Sequence, residues 1–326
     1  GKLRGRGIST YIEATASGGF APYDQAVINW EKDGGVTLRT ASHNHAQGHE
    51  TTLAQIVAGV LGIPMTKIRL RTSEPQFSLV ANPSGGSRTL IGIGSAMLYA
   101  AREVVQNGLD LAAEELESAK TDLEFRQGEY RIKGTDRRIA ITALAQKHPG
   151  KLDLDFKERP KVGSTFPNGC HIAEVEIEPE TGEVEIVSYL ACDDAGNVIN
   201  HQIVEGQMQG GITQGAGHIF GEQAIYDAGG QLLTGSFMDY AMPRPGLVGG
   251  LRVTEHPVPT ATNPLGAKGV GEAGVTGSMP CLMNAVMDAL RQAGVTHFDM
   301  PASPQRVWRA IREAKAGRPA ALAVKQ

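Results

Sequence analysis

Glu272 stands in the run Asn263-Pro264-Leu265-Gly266-Ala267-Lys268-Gly269-Val270-Gly271-Glu272-Ala273-Gly274, a single carboxylate among four glycines. Glycine lets backbone come close to a ligand, so this is a loop built to present one acid; the plain alternative is a solvated surface turn. Gly269, Gly271 and Gly274 also spell G-x-G-x-x-G. That dinucleotide fingerprint needs a strand just before it, a helix opening from it and an acid about twenty residues on. Pro257, Pro259 and Pro264 fall within the eight residues before the glycines, which makes that stretch a loop and not a central strand. The candidate strand at Leu251–Thr254 lies too far upstream, and the fingerprint fails on context.

Three other groups could do chemistry. His43, His45 and His49 form H-x-H-x-x-x-H, part of a zinc site if further ligands join them, but no second histidine cluster accompanies them. Asn82-Pro83-Ser84-Gly85-Gly86-Ser87-Arg88-Thr89 is a second polar glycine loop, and it runs into a helix. Such a start offers unpaired N–H groups to an anion, and the planar Arg88 guanidinium suits phosphate. A capped helix start is the plain alternative. Gln47-Gly48 and Gln214-Gly215 add amide donors in glycine-rich surroundings. Together Gln47-Gly48, the Gly85–Thr89 loop, Gln214-Gly215 and the Glu272 loop could converge on one large, polar, phosphate-bearing cofactor. No G-x-S-x-G elbow, Walker loop or C-x-x-C occurs.

The 326 residues are enough for two domains with substantial cores. Hydrophobic residues at 41% and charged residues at 20% are ordinary for a globular chain, while 41 glycines are well above average. A net charge of -4 leaves no footprint for nucleic acid or an anionic membrane. Cys170, Cys192 and Cys281 are odd in number and far apart, so a reducing, cytoplasmic setting is expected. No apolar run is long enough to span a bilayer. The chain begins at Gly1, so the lack of a visible signal peptide carries no weight.

The elements that must position these groups follow from pattern. Ala26–Trp30 and Val36–Arg39 read as a hairpin, Thr51–Leu61 as a helix capped by Gly62, and Lys67–Arg71 as a strand. A long helix follows Thr89, and Thr121–Lys147 reads as a small hairpin with a short helix. Lys151–Gly163 is charged, aperiodic and Pro-containing, a candidate linker. Ile172–Ile177 and Val184–Leu190 form another hairpin. The helix Gln202–Gln223 carries Gln207 and Gln214 on one side and six glycines, each costing about 1 kcal/mol against alanine. So many glycines predict a close packing partner. Tyr226–Leu233 reads as a hairpin, and two helices close the chain. Strands then helix in both halves predict an α+β fold of two related units, residues 1–160 and 161–326, the second carrying Glu272.

Five of these motifs, in this order, resemble those of the molybdenum-binding large subunit of xanthine dehydrogenase, aldehyde oxidase and carbon monoxide dehydrogenase, in its C-terminal half. They are Ala46-Gln47-Gly48-His49-Glu50-Thr51, Gly86-Ser87-Arg88-Thr89, Gln214-Gly215-Ala216-Gly217, Ser236–Arg244 and Gly269-Val270-Gly271-Glu272. Each is short; their order and spacing carry the resemblance, which covers nearly the whole chain. It implies two α+β units of the molybdopterin-binding type and a molybdenum–pterin cofactor, molybdopterin or its cytosine dinucleotide.

The resemblance further implies oxidative hydroxylation of a carbon centre in a small molecule with oxygen from water. Glu272 would be the general base, and Gly271 beside it a cofactor-binding position. Gln47, Gly48, Gln214 and Gly215 would hold the pterin, and Gly86, Ser87, Arg88 and Thr89 its phosphate end. Electrons would leave through iron–sulfur and FAD centres on partner subunits. The family's N-terminal half, with further cofactor contacts and the substrate loop, is not in this sequence, so half a site is expected, inactive alone. A non-catalytic cofactor-handling or assembly module is the alternative, and a zinc hydrolase on His43, His45 and His49 the third reading.

Overall fold

The computed structural model describes residues 1–16, 19, 21–72, 74–158 and 162–317. The chain opens with a long strand, β1 (Leu3–Ile12), and continues into the hairpin β2 (Ala26–Trp30) and β3 (Val36–Thr40). Helix α1 (His49–Leu61) ends in a left-handed Gly62, as expected from the glycine after its last apolar residue. It leads to β4 (Ile68–Thr72), which joins β3 in parallel. A π-helical turn, Leu90–Gly94, runs straight into α2 (Ser95–Glu115).

A small sheet follows, β5 (Leu123–Arg126), β6 (Glu129–Ile132) and β7 (Arg138–Ala140), then α3 (Ile141–Lys147). The expected linker Lys151–Gly163 is in part a strand: β8 (Leu154–Phe156) pairs with β2 and buries Phe156. Its short length and flanking charges hid it. Residues 159–161 of that segment lie outside the described residues.

The second half holds the hairpin β9 (Asn168–Ile177) and β10 (Val184–Asp194), helix α4 (His201–Phe220), strand β11 (Leu251–Glu255), and helices α5 (Ala273–Arg291) and α6 (Pro304–Lys315). β11 joins β10 in parallel. Between α4 and β11 the expected hairpin is only one bridge, Tyr226 to Leu232, and the segment leaves Phe237 and Met238 exposed.

The fold is α+β, and its two main sheets share one topology. Their orders are β8-β2-β3-β4 and β1-β9-β10-β11. Each is an edge strand antiparallel to a hairpin, then a helix (α1 or α4), then a parallel strand, then a long helix (α2 or α5). The edge strand differs in origin. β1 belongs to the second sheet, so the first unit expected over residues 1–160 lacks residues 3–12.

Its inward positions explain why β1 has no hydrophobic signature. Gly5 and Gly7 face α5 so closely that a Cβ at either would meet a backbone carbonyl, of Ala285 or Cys281, at 2.1 Å. Arg4 and Arg6 point outward to Glu174. Each unit has its own core, one around Ile28, Leu38, Leu53, Val57 and Met97, the other around Val175, Tyr189, Ile212, Leu282 and Val286. Leu265 and Ala267 of the acid loop pack into the first core, tying the units together.

Candidate functional site

Four helix starts meet around a cavity of about 320 Å³. From α1 come Gln47, His49 and Thr52; from the turn before α2, Ser84 to Leu90; from α4, Asn200, Ile203, Val204 and Gln207; from the start of α5, Lys268 to Glu272. Helix starts carry unpaired N–H groups and the positive end of the backbone dipole, so their convergence favours an anion. Gly48 caps α1 with no side-chain acceptor, whereas Asn200 caps α4 itself, accepting the Ile203 N–H at 3.0 Å. The α1 start is thus open to a ligand.

Ser87 and Glu272 are the join between the two glycine loops. Ser87 Oγ donates to Glu272 Oε2 at 2.9 Å and accepts the Glu272 backbone N–H at 3.1 Å. The contact needs close backbone approach, since a Cβ at Gly269 would lie 2.4 Å from Ser87 O. Gly86 and Ser87 both sit in the left-handed region, φ +61° and +50°, turning the chain at that point. Arg88 Nε donates to Gly85 O at 3.0 Å, fixing the guanidinium against its own loop. Gln47 Nε2 donates to Ser84 Oγ at 3.0 Å, and Ser84 is linked to Thr89 Oγ1 at 2.9 Å.

Of the residues expected from sequence, Gln47, Gly86, Ser87, Arg88, Thr89, Gly271 and Glu272 line this cavity. Gly48 stands one residue behind its wall, where a Cβ would press on Ile203 Cδ1 at 2.6 Å. Gln214 and Gly215 do not reach it. Gln214 is exposed, and Gly215 lets α4 pack on α5, since a Cβ there would meet Ser278 Oγ at 2.0 Å. The glutamine two turns earlier, Gln207, lines the cavity instead. Its Oε1 lies 3.9 Å from where a Gly271 Cβ would be. The signal was present, two glutamines seven apart on one helix side, but only the helix's distance from the cavity selects between them.

The histidine cluster does not form a metal centre: among the described residues no group of three or more His, Cys, Asp or Glu could hold one. His43 and His45 meet edge to face with centroids 4.2 Å apart. His49 is only 8% exposed, and its Nδ1 is buried without a hydrogen-bond partner. Burial holds it below the usual histidine range, so it faces the cavity as a neutral group. The zinc hydrolase reading therefore falls. Lys268 is neutralised by Asp194, whose other oxygen accepts the Gly196 and Val258 N–H groups. Glu13, for which the sequence gives no signal, is pushed up to about 7, first by burial and then by the Glu272 charge.

Open helix starts, an orphaned imidazole nitrogen, a guanidinium and several amide and hydroxyl donors, with open space at Gly85, suit a large polar anion such as a pterin phosphate. Fold and site define a protein with an anion-suited cavity and one carboxylate, Glu272, at its wall. The model of the molybdopterin cofactor-binding domain matches residues 1–247, and the chain belongs to that family.

Within it the chain is similar to the carbon monoxide dehydrogenase large chain of Hydrogenophaga pseudoflava, 34% identical over 95% of this chain and 41% of that one. It is also similar to the nicotine 6-hydroxylase large subunit of Paenarthrobacter nicotinovorans, 32% identical over 96% and 41%. Among solved structures, Cu,Mo-CO dehydrogenase superposes with a TM-score of 0.87 at 30% identity, covering 96% of this chain and 42% of that one. Quinoline 2-oxidoreductase from Pseudomonas putida 86 gives 0.86 at 31%, covering 96% and 42%. The chain is thus a molybdenum-cofactor-binding part of the xanthine dehydrogenase family, spanning about two fifths of the length of these relatives.

Proposed function

We propose that this chain works within a molybdenum hydroxylase that inserts oxygen from water at a carbon centre of a small molecule. The remainder of a large subunit and iron–sulfur and flavin units complete it. The observation that carries this reading is the join of Ser87 to Glu272, which holds a carboxylate at the wall of an anion-suited cavity. When bound, the cofactor supplies the two-electron chemistry, and the protein supplies position and proton transfer.

In this reading Gln47, Gly86, Arg88, Thr89 and Gln207 hold the pterin and its phosphate, and the neutral His49 offers Nδ1 as a further hydrogen-bonding group. Glu272 takes a proton from the oxygen delivered to substrate. Ser87 keeps the carboxylate aimed by occupying one of its oxygens, and the Gly271 backbone leaves the approach open. Free thiols at Cys170, Cys192 and Cys281 accord with a reducing compartment such as the cytoplasm. Among the described residues no helix is long and apolar enough to cross a membrane.

The test is Glu272→Gln in the complete enzyme. Turnover falls by about 10²- to 10⁴-fold while molybdenum content stays at the parental level. Unchanged turnover would leave a cofactor-handling role instead. The isolated chain is expected to be inactive, and hydroxylase activity in it alone would refute the requirement for the rest of the subunit.

A further inference from the structure

The outward face of the second sheet is divided in two by residue type. Its rows are fixed by register: across β1 and β9, Arg4 lies opposite Glu176, Arg6 opposite Glu174, Ile8 opposite Ile172 and Thr10 opposite Cys170. On the other side of β9, Glu176 meets Glu185, Ile172 meets Leu190 and Cys170 meets Cys192. The first rows hold charges that satisfy one another. Arg4 and Arg6 pair with Glu174, and Lys2 pairs with Glu176 and Glu185. The rows that follow carry no charge on these three strands: Ile8-Ile172-Leu190, then Thr10-Cys170-Cys192, with Ile12 at the end of β1.

β1 and β9 keep their alternation beyond Ile12. Glu13 N–H donates to Pro167 O at 3.0 Å and Thr15 N–H to Thr165 O at 2.8 Å, and Thr15 and Thr165 are both fully buried. Phe166, next to Thr165, therefore turns to the outward face with Asn168 and Cys170. Ile8, Ile12, Phe166 and Leu190 are all exposed, Ile12 to 70%. Scattered apolar residues are ordinary on a protein surface. Neighbours about 5 Å apart across a sheet instead form one patch, and such a patch marks an interface.

The patch sits at the cavity end of the sheet. Just beyond it Ala16 N–H donates to Gly86 O at 3.0 Å, and Gly269 N–H donates to Thr165 Oγ1 at 3.2 Å. The strand ends beneath the patch thus tie directly into both glycine loops, and an element resting there would border the cavity. In the relatives, more than half of the length lies outside the part this chain matches.

We propose that the apolar half of this face, with Ile8, Ile12, Phe166, Ile172 and Leu190, is the seat of the remainder of the large subunit, which meets it with an apolar element. The charged half stays in water, because its ions already have partners and drying them would cost more than it returns. The proposal rests on the reading of the chain as part of a larger hydroxylase subunit.

Hydroxyl-radical footprinting of the complete enzyme, normalised to the urea-unfolded enzyme, should find Ile8, Ile12, Phe166 and Leu190 protected as strongly as the core residues Ile28 and Leu38. Reactivity of Ile12 and Phe166 at the level of side chains in water overturns the proposal. The occupant is identified with photo-cross-linking benzoylphenylalanine in place of Phe166, an exposed aromatic residue outside both cores. Capture of a peptide from the remainder of the large subunit is the expected result. Capture from a second copy of this chain or from an iron–sulfur or flavin subunit overturns it, as does no capture. If Glu272→Gln keeps full turnover, the hydroxylase reading falls instead, and footprint and cross-link still decide whether this face is covered and by what.

Discussion

In the first unit the segment entering the long helix reads Ser84-Gly85-Gly86-Ser87-Arg88-Thr89; at the corresponding place in the second it reads Lys268-Gly269-Val270-Gly271-Glu272. Sheet order, strand directions and helix placement around the two are the same. The first loop offers a guanidinium and hydroxyls, the second a carboxylate, and they touch at Ser87 and Glu272. The helices before them differ in the same sense. α1 starts uncapped and open to the cavity, while α4 is capped by its own Asn200 and contributes Gln207 from its second turn. One topology used twice thus yields a unit that offers a guanidinium and an open helix start and a unit that offers a carboxylate. The difference lies in a few loop residues and not in the architecture.

The contrast is sharpest if the two loops are altered separately. Arg88→Gln should lower molybdenum content, with turnover per bound molybdenum little changed, whereas Glu272→Gln should do the reverse and cut turnover by about 10²- to 10⁴-fold. Equal effects of both on content would dissolve the division of labour. Next in size is the helix crossing that carries the acid loop to its partner. A Cβ at Gly274 would lie 2.5 Å from Met208 O, so Gly274→Ala should cost about 1–3 kcal/mol in denaturant unfolding through overpacking.

The two glutamines of α4 give a finer comparison. Gln207→Ala should weaken cofactor retention by about 1 kcal/mol, the worth of a hydrogen bond, and Gln214→Ala should leave it unchanged. Equal retention in both variants would count against the cavity as the pterin site.

The smallest effect is on stability against pH. Glu13 holds its proton in the fold up to about 7, while an ordinary glutamate ionises near 4.5. Between these values the folded state binds more protons, so this group's stabilisation, complete below about 4.5, is lost as pH rises towards 7. Glu13→Gln should flatten that part of the urea-midpoint profile.

Local signals read well where the local pattern matched the tertiary role. The hairpins β2–β3 and β9–β10, the Gly62 cap and the helices after both glycine loops were legible because apolar spacing and turn residues agree with what is buried. β1 was not, because Gly5 and Gly7 occupy the positions where a strand normally shows large apolar side chains. Glu13 gave no signal at all. A glutamate after a polar strand reads as solvated, and only the folding of β1 against β9 buries one of its carboxyl oxygens.

The sequence by itself determined the glycine loops, the acid one of them presents, the anion-suited start of a long helix, and an α+β arrangement in two halves. Those are consequences of residue type and short-range spacing, which act within a few turns of chain. The tertiary structure decided which glutamine faces the cavity, that the histidines form no metal-ligand group among the described residues, and that one oxygen of Glu13 is buried. Each of these depends on how far two helices or a strand end approach one another. That approach is set by glycines at the crossings, and the other side of each contact lies distant in the chain.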